Sequence, residues 1–158
     1  MARKSYCGLA AHFAMKWRAL GVGMIGIMAA AACMALQCPV NMPGPITGQA
    51  ISFADDIQPI FDELCIGCHV TGGFADQSGI ALKLVAGQSF NLLVNQKSVQ
   101  DPSLTLVIPG DSANSLLFQK TSQNMPPVGS TMPLIGRRLT STELALVRDW
   151  IDQGALDN

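Results

Sequence analysis

The run Cys65-Ile66-Gly67-Cys68-His69 constrains this chain more than any other stretch. Two cysteines separated by two residues and followed at once by a histidine form the attachment signature of a covalent c-type haem. In that arrangement each thiol forms a thioether with one vinyl group, and the histidine becomes the proximal ligand of the iron. The motif therefore predicts one covalent haem c on Cys65 and Cys68, with His69 as an iron ligand.

Two other sites use similar residues. A structural zinc ion takes four ligands, usually as two pairs of cysteine or histidine, and no second pair follows here. A redox-active dithiol is typically found beside a strand–helix–strand pattern, which does not surround these cysteines. The sequence disfavours both alternatives.

Charge is distributed unevenly along the 158 residues, a length that suggests one domain after removal of a targeting segment. Residues 1–18 carry four of the ten lysines and arginines and no acid. The remainder has six basic residues against eleven acidic ones, a net charge of −5. This acidic balance argues against nucleic acid as a partner and is compatible with docking to a basic patch on a redox protein.

Residues 1–38 are interpreted as a signal peptide or membrane anchor. A basic leader precedes Ala19–Leu36, eighteen residues without a charge, so the remainder is expected to be exported. Cys38 follows directly and resembles the acceptor of a bacterial lipoprotein, although Gln37 stands where a small residue is expected. Cys33 is an alternative cleavage point. We expect the periplasm or cell envelope as the location and favour attachment to the membrane by a lipid or a retained helix, with a cleaved signal peptide as the alternative.

Residues 39–52 are predicted to be a linker and residues 53–158 a mainly α-helical domain with one short two-stranded β pair at most. The first helix is expected to begin between Ser52 and Pro59 and to end near Cys65. Other elements predicted from periodicity and turn residues are strands at Gly79–Val85 and Leu104–Ile108, a helix at Ser89–Asn95, a helix capped by Asp111 or Ser112 that runs to about Lys120, and a last helix that starts with the capping box Thr140–Glu143 and stops at Gly154.

The second iron ligand is sought in the proline- and glycine-rich loop Gln123–Arg138. His12 lies in the leader, so the exported part retains His69 as its single histidine. Met125 and Met132 both precede proline, which favours an extended backbone that can project a ligand. We favour Met132, with Met125 as the alternative and water or no side chain as a third outcome. Methionine–histidine ligation closes the site to peroxide and favours electron transfer.

Three stretches resemble planctomycete-type monohaem cytochrome c domains: FADDIQPIFDELCIGCHVTGG, VIPGDSANSLLFQK and MPPVGSTMPLIGRRLTSTELALVRDWIDQGA. The resemblance covers about Phe53 to Ala155. It implies a class I cytochrome c-like fold with crossed N- and C-terminal helices around one haem, and Phe61 and Trp150 as contacts at the crossing. It also implies electron carriage and favours Met132 as the distal ligand, because of the spacing to the last helix.

The leading hypothesis is thus an electron carrier that exchanges single electrons with partner proteins and is not an enzyme. Alternatives are a haem peroxidase or a small-ligand sensing module with an open sixth position. Arg137 and Arg138 are candidates for pairing with haem propionates or a partner, or for a solvated pair on the loop.

Overall fold

The computed structural model describes residues 49–158; the predicted leader, apolar segment, Cys33, Cys38 and most of the linker lie outside this range. The described part is mainly helical. A π-helical turn at Phe53–Ile57 is followed by five helices: α1 Gln58–Leu64, α2 Phe74–Gln77, α3 Ser89–Leu93, α4 Leu116–Ser122 and α5 Ser141–Asp152. Among residues 49–158 no helix combines the length and apolar character needed to cross a membrane.

The predicted first helix divides into the π-helical turn and α1. Ser52 begins it as expected, because its hydroxyl accepts a hydrogen bond from the backbone N–H of Asp55 at 3.1 Å. Asp55 and Asp56 occupy the first turn, where carboxylates are stabilised by the helix dipole. Pro59 lies at the start of α1, where its missing N–H costs nothing. Helix α1 ends at Leu64, directly before the cysteine–histidine motif.

The aromatic core is centred on Phe53, a residue that the sequence analysis did not single out. Its ring lies 6.2 Å from the ring of Phe61, 5.3 Å from Phe90 and 5.2 Å from Trp150. Both side chains expected at a helix crossing, Phe61 and Trp150, therefore contact Phe53, and α5 packs against the π-helical turn. Trp150 is 1 % exposed, and its indole N–H donates to the backbone carbonyl of Leu156 at 3.0 Å.

The expected β pair is wrong: residues 49–158 contain only two isolated bridges and no strand. Val94 pairs with Val107 in parallel, and Lys97 pairs with Thr105 antiparallel. The chain reverses between these bridges at Asn95, whose φ of 58° is left-handed and incompatible with a continuing strand. Gly79–Val85 forms no bridge at all.

The two carboxy-terminal helices were predicted with different success. Helix α4 begins at Leu116, later than expected, because Asp111 uses its carboxylate to accept hydrogen bonds from Asn114 in a preceding turn. Helix α5 has the predicted capping box, in which the Thr140 hydroxyl accepts from the Glu143 N–H and the Glu143 carboxylate accepts from the Thr140 N–H. It ends before Gly154, whose φ is +108°. The predicted helix at 89–95 is confirmed as α3.

Candidate haem site

One cavity of about 360 Å³ brings together the residues that the sequence analysis selected. Cys65, Cys68 and His69 line it, and Met132 lines it from the loop between α4 and α5. These residues are up to 67 positions apart in sequence and come from two separate segments, so their convergence is a property of the fold. The volume lies within the about 300–1,000 Å³ typical of cofactor clefts.

The walls of the cavity are largely apolar. Most of its lining consists of aliphatic side chains, with the leucines Leu64, Leu82, Leu84, Leu92, Leu93, Leu106, Leu116, Leu117 and Leu134. None of the lining residues is Asp or Glu, whereas Lys97 and Lys120 both reach the cavity. The net negative charge of the domain therefore lies elsewhere on its surface.

The cysteine segment continues from α1 as helical turns. The backbone carbonyl of Cys65 accepts from the Cys68 N–H at 3.1 Å and from the His69 N–H at 2.9 Å. These turns bring the thiols of Cys65 and Cys68 and the imidazole of His69 to the same cavity. Neither cysteine forms a disulfide bond. Burial, with a smaller contribution from Cys68, raises the pKa of Cys65 to about 11, so this thiol keeps its proton at neutral pH.

The ring orientation of His69 leaves one nitrogen for a metal. Nδ1 lies 3.0 Å from the backbone carbonyl oxygen of Leu82. Because a carbonyl can only accept, Nδ1 carries the proton and Nε2 has a free lone pair. Metal-binding histidines commonly have their second nitrogen fixed in this way, which sets both tautomer and ring orientation. A backbone hydrogen bond also joins the segment of His69 to that of Leu82, because the N–H of Leu84 donates to the carbonyl oxygen of His69 at 2.9 Å.

Two glycines after the motif have different roles. Gly72 has a φ of +73°, a left-handed conformation that other residues adopt at a cost. Gly73 has an ordinary φ, but a Cβ atom there would collide with the backbone carbonyl oxygen of Cys68. That same carbonyl accepts a hydrogen bond from the N–H of Ala75 at 3.1 Å, which attaches α2 to the motif. Glycine is therefore required at position 73, where the chain folds back on the cysteine segment.

The loop at residues 123–138, here called the ligand loop, contains both candidate methionines, and the structure places them at different sites. Met132 is half-buried at the cavity. Met125 is 81 % exposed, and it lines a different, open depression of about 570 Å³ that also includes Arg138. That depression contains neither cysteine nor histidine among its lining residues. Of the two methionines, Met132 is the one that shares a cavity with His69.

Sequence reasoning gave no role to Lys120, a residue of α4 whose side chain bonds the ligand loop. Its Nζ donates to the carbonyl oxygens of Val128 at 2.8 Å and Ser130 at 3.3 Å. Its own backbone carbonyl accepts from the N–H of Met132 at 2.8 Å. Burial lowers the pKa of Lys120. The only sequence signal was its position near the predicted end of a helix.

The two arginines of the loop bind groups of the same chain. Arg137 pairs with Glu63 at 2.7 Å and with Glu143 at 2.8 Å, and thereby ties the loop to α1 and α5. Arg138 donates to the backbone carbonyl of Thr121 at 3.1 Å. Neither residue lines the cavity that holds His69. The cationic side chains that do so are Lys97 and Lys120.

The donor set fits a covalently bound haem. A flat apolar group requires apolar walls, two unbridged thiols for attachment, and an imidazole nitrogen with a free lone pair, and all three occur here. The thioether sulfur of Met132 adds a soft ligand suited to iron in methionine–histidine coordination. Among residues 49–158, no group of three or more His, Cys, Asp or Glu side chains is gathered in a way that could hold a bare metal ion.

Comparison with known proteins found one informative likeness. The chain is 29 % identical over 125 residues to hydrazine synthase subunit alpha of Kuenenia stuttgartiensis. The match covers 68 % of this chain and 15 % of that subunit, so the chain corresponds to a small part of its relative. No family model matches the sequence. No solved structure matches it either.

Proposed function

We propose that this protein is an exported monohaem c-type cytochrome that carries single electrons between redox partner proteins. Its haem c is attached through Cys65 and Cys68, and the iron is bound by His69 and Met132. One observation carries the proposal: a single apolar cavity is lined by all four residues. Met132 lies 63 positions after His69, so its place at the same apolar cavity supports the proposal.

Two segments of the chain would hold the cofactor. Cys65 and Cys68 bind the cofactor from turns that continue α1. His69 offers Nε2 because its Nδ1 proton is directed at the carbonyl of Leu82. Met132 approaches from the ligand loop, and leucines make up much of the cavity wall. The bound haem supplies the one-electron iron couple, and methionine–histidine ligation raises its potential relative to two histidines. A coordinatively filled iron leaves no position for substrate, which is why we propose a carrier rather than an enzyme.

We further propose that residues 53–158 are a planctomycete-type cytochrome c domain with a class I-like fold. The short helices, the ligand loop before the last helix and the packing of α5 on the π-helical turn support it. So does the likeness to a subunit from a planctomycete, in which the matched part is domain-sized. The name of that subunit refers to the synthesis of hydrazine by the enzyme to which it belongs. A match to 15 % of its length does not carry that activity to this chain, and we propose none.

The decisive experiment is expression in a host with c-type cytochrome maturation, followed by a haem stain on a denaturing gel. The full-length chain should retain the stain after extraction with acidified organic solvent, because thioether bonds survive that treatment. Comparison of membrane and soluble fractions tests export and anchoring at the same time. Complete loss of colour to the solvent would refute covalent attachment.

A visible spectrum of the ferric protein tests the second ligand. Methionine on the iron gives a weak charge-transfer band near the red edge of the spectrum, and we expect this band in the purified holoprotein. A high-spin ferric spectrum without the band would favour the peroxidase or small-ligand sensing alternative, in which the sixth position is open.

A further inference from the structure

The ligand loop contains neither helix nor strand, so its position depends on bonds to other parts of the protein. One residue of α4, Lys120, makes three of them. Its carbonyl oxygen accepts from the backbone N–H of Met132 itself at 2.8 Å. Its amine donates to the carbonyl of Val128 at 2.8 Å and to that of Ser130 at 3.3 Å. The bonded positions are Met132 and alternate residues immediately before it.

The amine of Lys120 is enclosed by the loop that it binds. Gly129 lies against it, and a Cβ atom at this glycine would come within 3.0 Å of the Lys120 Nζ and of the Gln100 Nε2. Gly129 also has a φ of +61°, the left-handed conformation that lets the loop curve around the amine. Hydrogen bonds from a charged donor are stronger than neutral ones, so this contact is well suited to fix a loop without regular structure.

We propose that Lys120 is a positioning residue that keeps Met132 on the haem iron, an inference that rests on the proposed function. The ligand loop has a closed state, with the methionine sulfur on the metal, and an open state, in which an external ligand can replace it. Bonds from the Lys120 amine exist in the closed state. Their removal shifts the population toward the open state, and the apparent affinity for an external ligand rises by the same factor.

Imidazole binding to the ferric holoprotein measures this shift, because imidazole must displace Met132. We expect Lys120→Leu to raise the apparent imidazole affinity about ten-fold, the effect of losing one or two charge-assisted bonds. Lys97→Leu is the matched control. Lys97 also lines the cavity, but its amine bonds the Thr105 hydroxyl at 3.0 Å and not the ligand loop. An equal rise from both variants would refute the positioning role.

The same titration in a Met132→Ala background separates this inference from the proposed function. With the methionine absent, imidazole should bind tightly, and Lys120→Leu should then change its affinity by less than about two-fold. A ten-fold change that persists without Met132 would show that Lys120 acts on the pocket and not on the ligand. If Met132→Ala alone leaves the imidazole affinity of the parent unchanged, Met132 is not the ligand and the ligand assignment itself fails.

Two further variants guard against a simple folding defect. Lys120→Arg keeps a cation that can donate to two carbonyls, and we expect it to restore imidazole affinity to within about two-fold of the parent. Lys120→Gln keeps the stem but only a neutral donor, and it should lie between Arg and Leu. Far-UV circular dichroism of each variant should match the parent. If the imidazole affinities of the three variants do not follow this order, the inference is contradicted.

Discussion

The two sides of the cavity are built in different ways. The side that carries Cys65, Cys68 and His69 is fixed mainly by backbone hydrogen bonds that continue α1, and His69 is held further by bonds to Leu82 and Leu84. The side that carries Met132 belongs to a loop of irregular backbone, held by side chains from elsewhere: Lys120 of α4, and Glu63 and Glu143 through Arg137. The attachment side is therefore built on helical backbone turns, and the ligand-loop side depends more on side-chain contacts.

This difference bears on what each side can do. A segment that continues a helix keeps its backbone hydrogen bonds while less tightly bonded parts of the domain open. A loop tied by a few side chains opens at a smaller cost, so exchange of the proposed second iron ligand, Met132, is expected to begin there. The predictions below test that asymmetry, from the largest expected effect to the smallest.

The largest effect is expected on the attachment side. Replacement of both thiols, Cys65→Ser with Cys68→Ser, should abolish the covalent haem signal on a denaturing gel, because no thioether can form. Each single variant should retain haem through the remaining bond at reduced yield. Haem staining with a quantified protein load measures this. A double variant that keeps its covalent stain would refute the attachment sites.

The ligand-loop side predicts a smaller and more selective loss. Met132→Ala should remove the charge-transfer band of the ferric protein while the covalent haem remains. Met125→Ala is the matched control, since this methionine lies in the same loop but is 81 % exposed and outside the cavity. It should keep the band at full strength. Loss of the band in the Met125 variant alone would reverse the assignment.

The asymmetry also explains what the sequence could predict. The haem motif, the capping box at Thr140 and the last helix are local patterns, and each is legible in a few adjacent residues. The choice between Met125 and Met132 is not local, because both precede proline in the same loop. It depends on contacts with α4, which no short pattern shows. Likewise, the central position of Phe53 follows from packing with Trp150, which lies 97 positions later in the chain.

Other departures have similarly non-local or conformational causes. The segment Leu104–Ile108 has the composition of a strand. The segment that it pairs with reverses direction at Asn95, after a single parallel bridge. The sequence analysis left Arg137 as a candidate for pairing with a haem propionate or a partner, or for solvation on the loop. In the structure it forms ion pairs with two carboxylates from different helices. Which acids an arginine meets depends on how α1 and α5 approach, and composition contains no such information.

The shared core gives a third test, of stability rather than ligation. Trp150→Ala should lower the free energy of unfolding by about 3–5 kcal/mol, because it empties a fully buried site against Phe53. Leu156→Ala is the control: its side chain is 58 % exposed, and the carbonyl that accepts from Trp150 is retained. It should change stability by less than about 0.5 kcal/mol. Urea unfolding followed by circular dichroism measures both, and similar losses would contradict the packing described here.

The smallest effect concerns the anchor of the ligand loop on α5 and depends on pH. Hydrogen bonding from Arg137, together with the capping contacts at Thr140, holds the pKa of Glu143 at about 2, below its ordinary 4.5. The carboxylate therefore stabilises the fold above the ordinary value, and this contribution is lost as pH falls from about 4.5 toward 2. Because the ion pair is partly solvated, we expect it to contribute about 1–2 kcal/mol at neutral pH.

Glu143→Gln should accordingly be less stable than the parent near neutral pH and approach it in acid, where the parent carboxylate is protonated as well. Glu63→Gln is the matched control, because Glu63 meets the same Arg137 but is 62 % exposed and caps no helix. Its cost should be below about 1 kcal/mol. Urea titrations at several pH values between about 7 and 2 measure the difference. If the difference in unfolding free energy between the parent and Glu143→Gln stays constant into acid, the cost comes from the lost cap geometry and not from the charge. The ion pair of Arg137 with Glu143 would then not hold the ligand loop by electrostatic attraction.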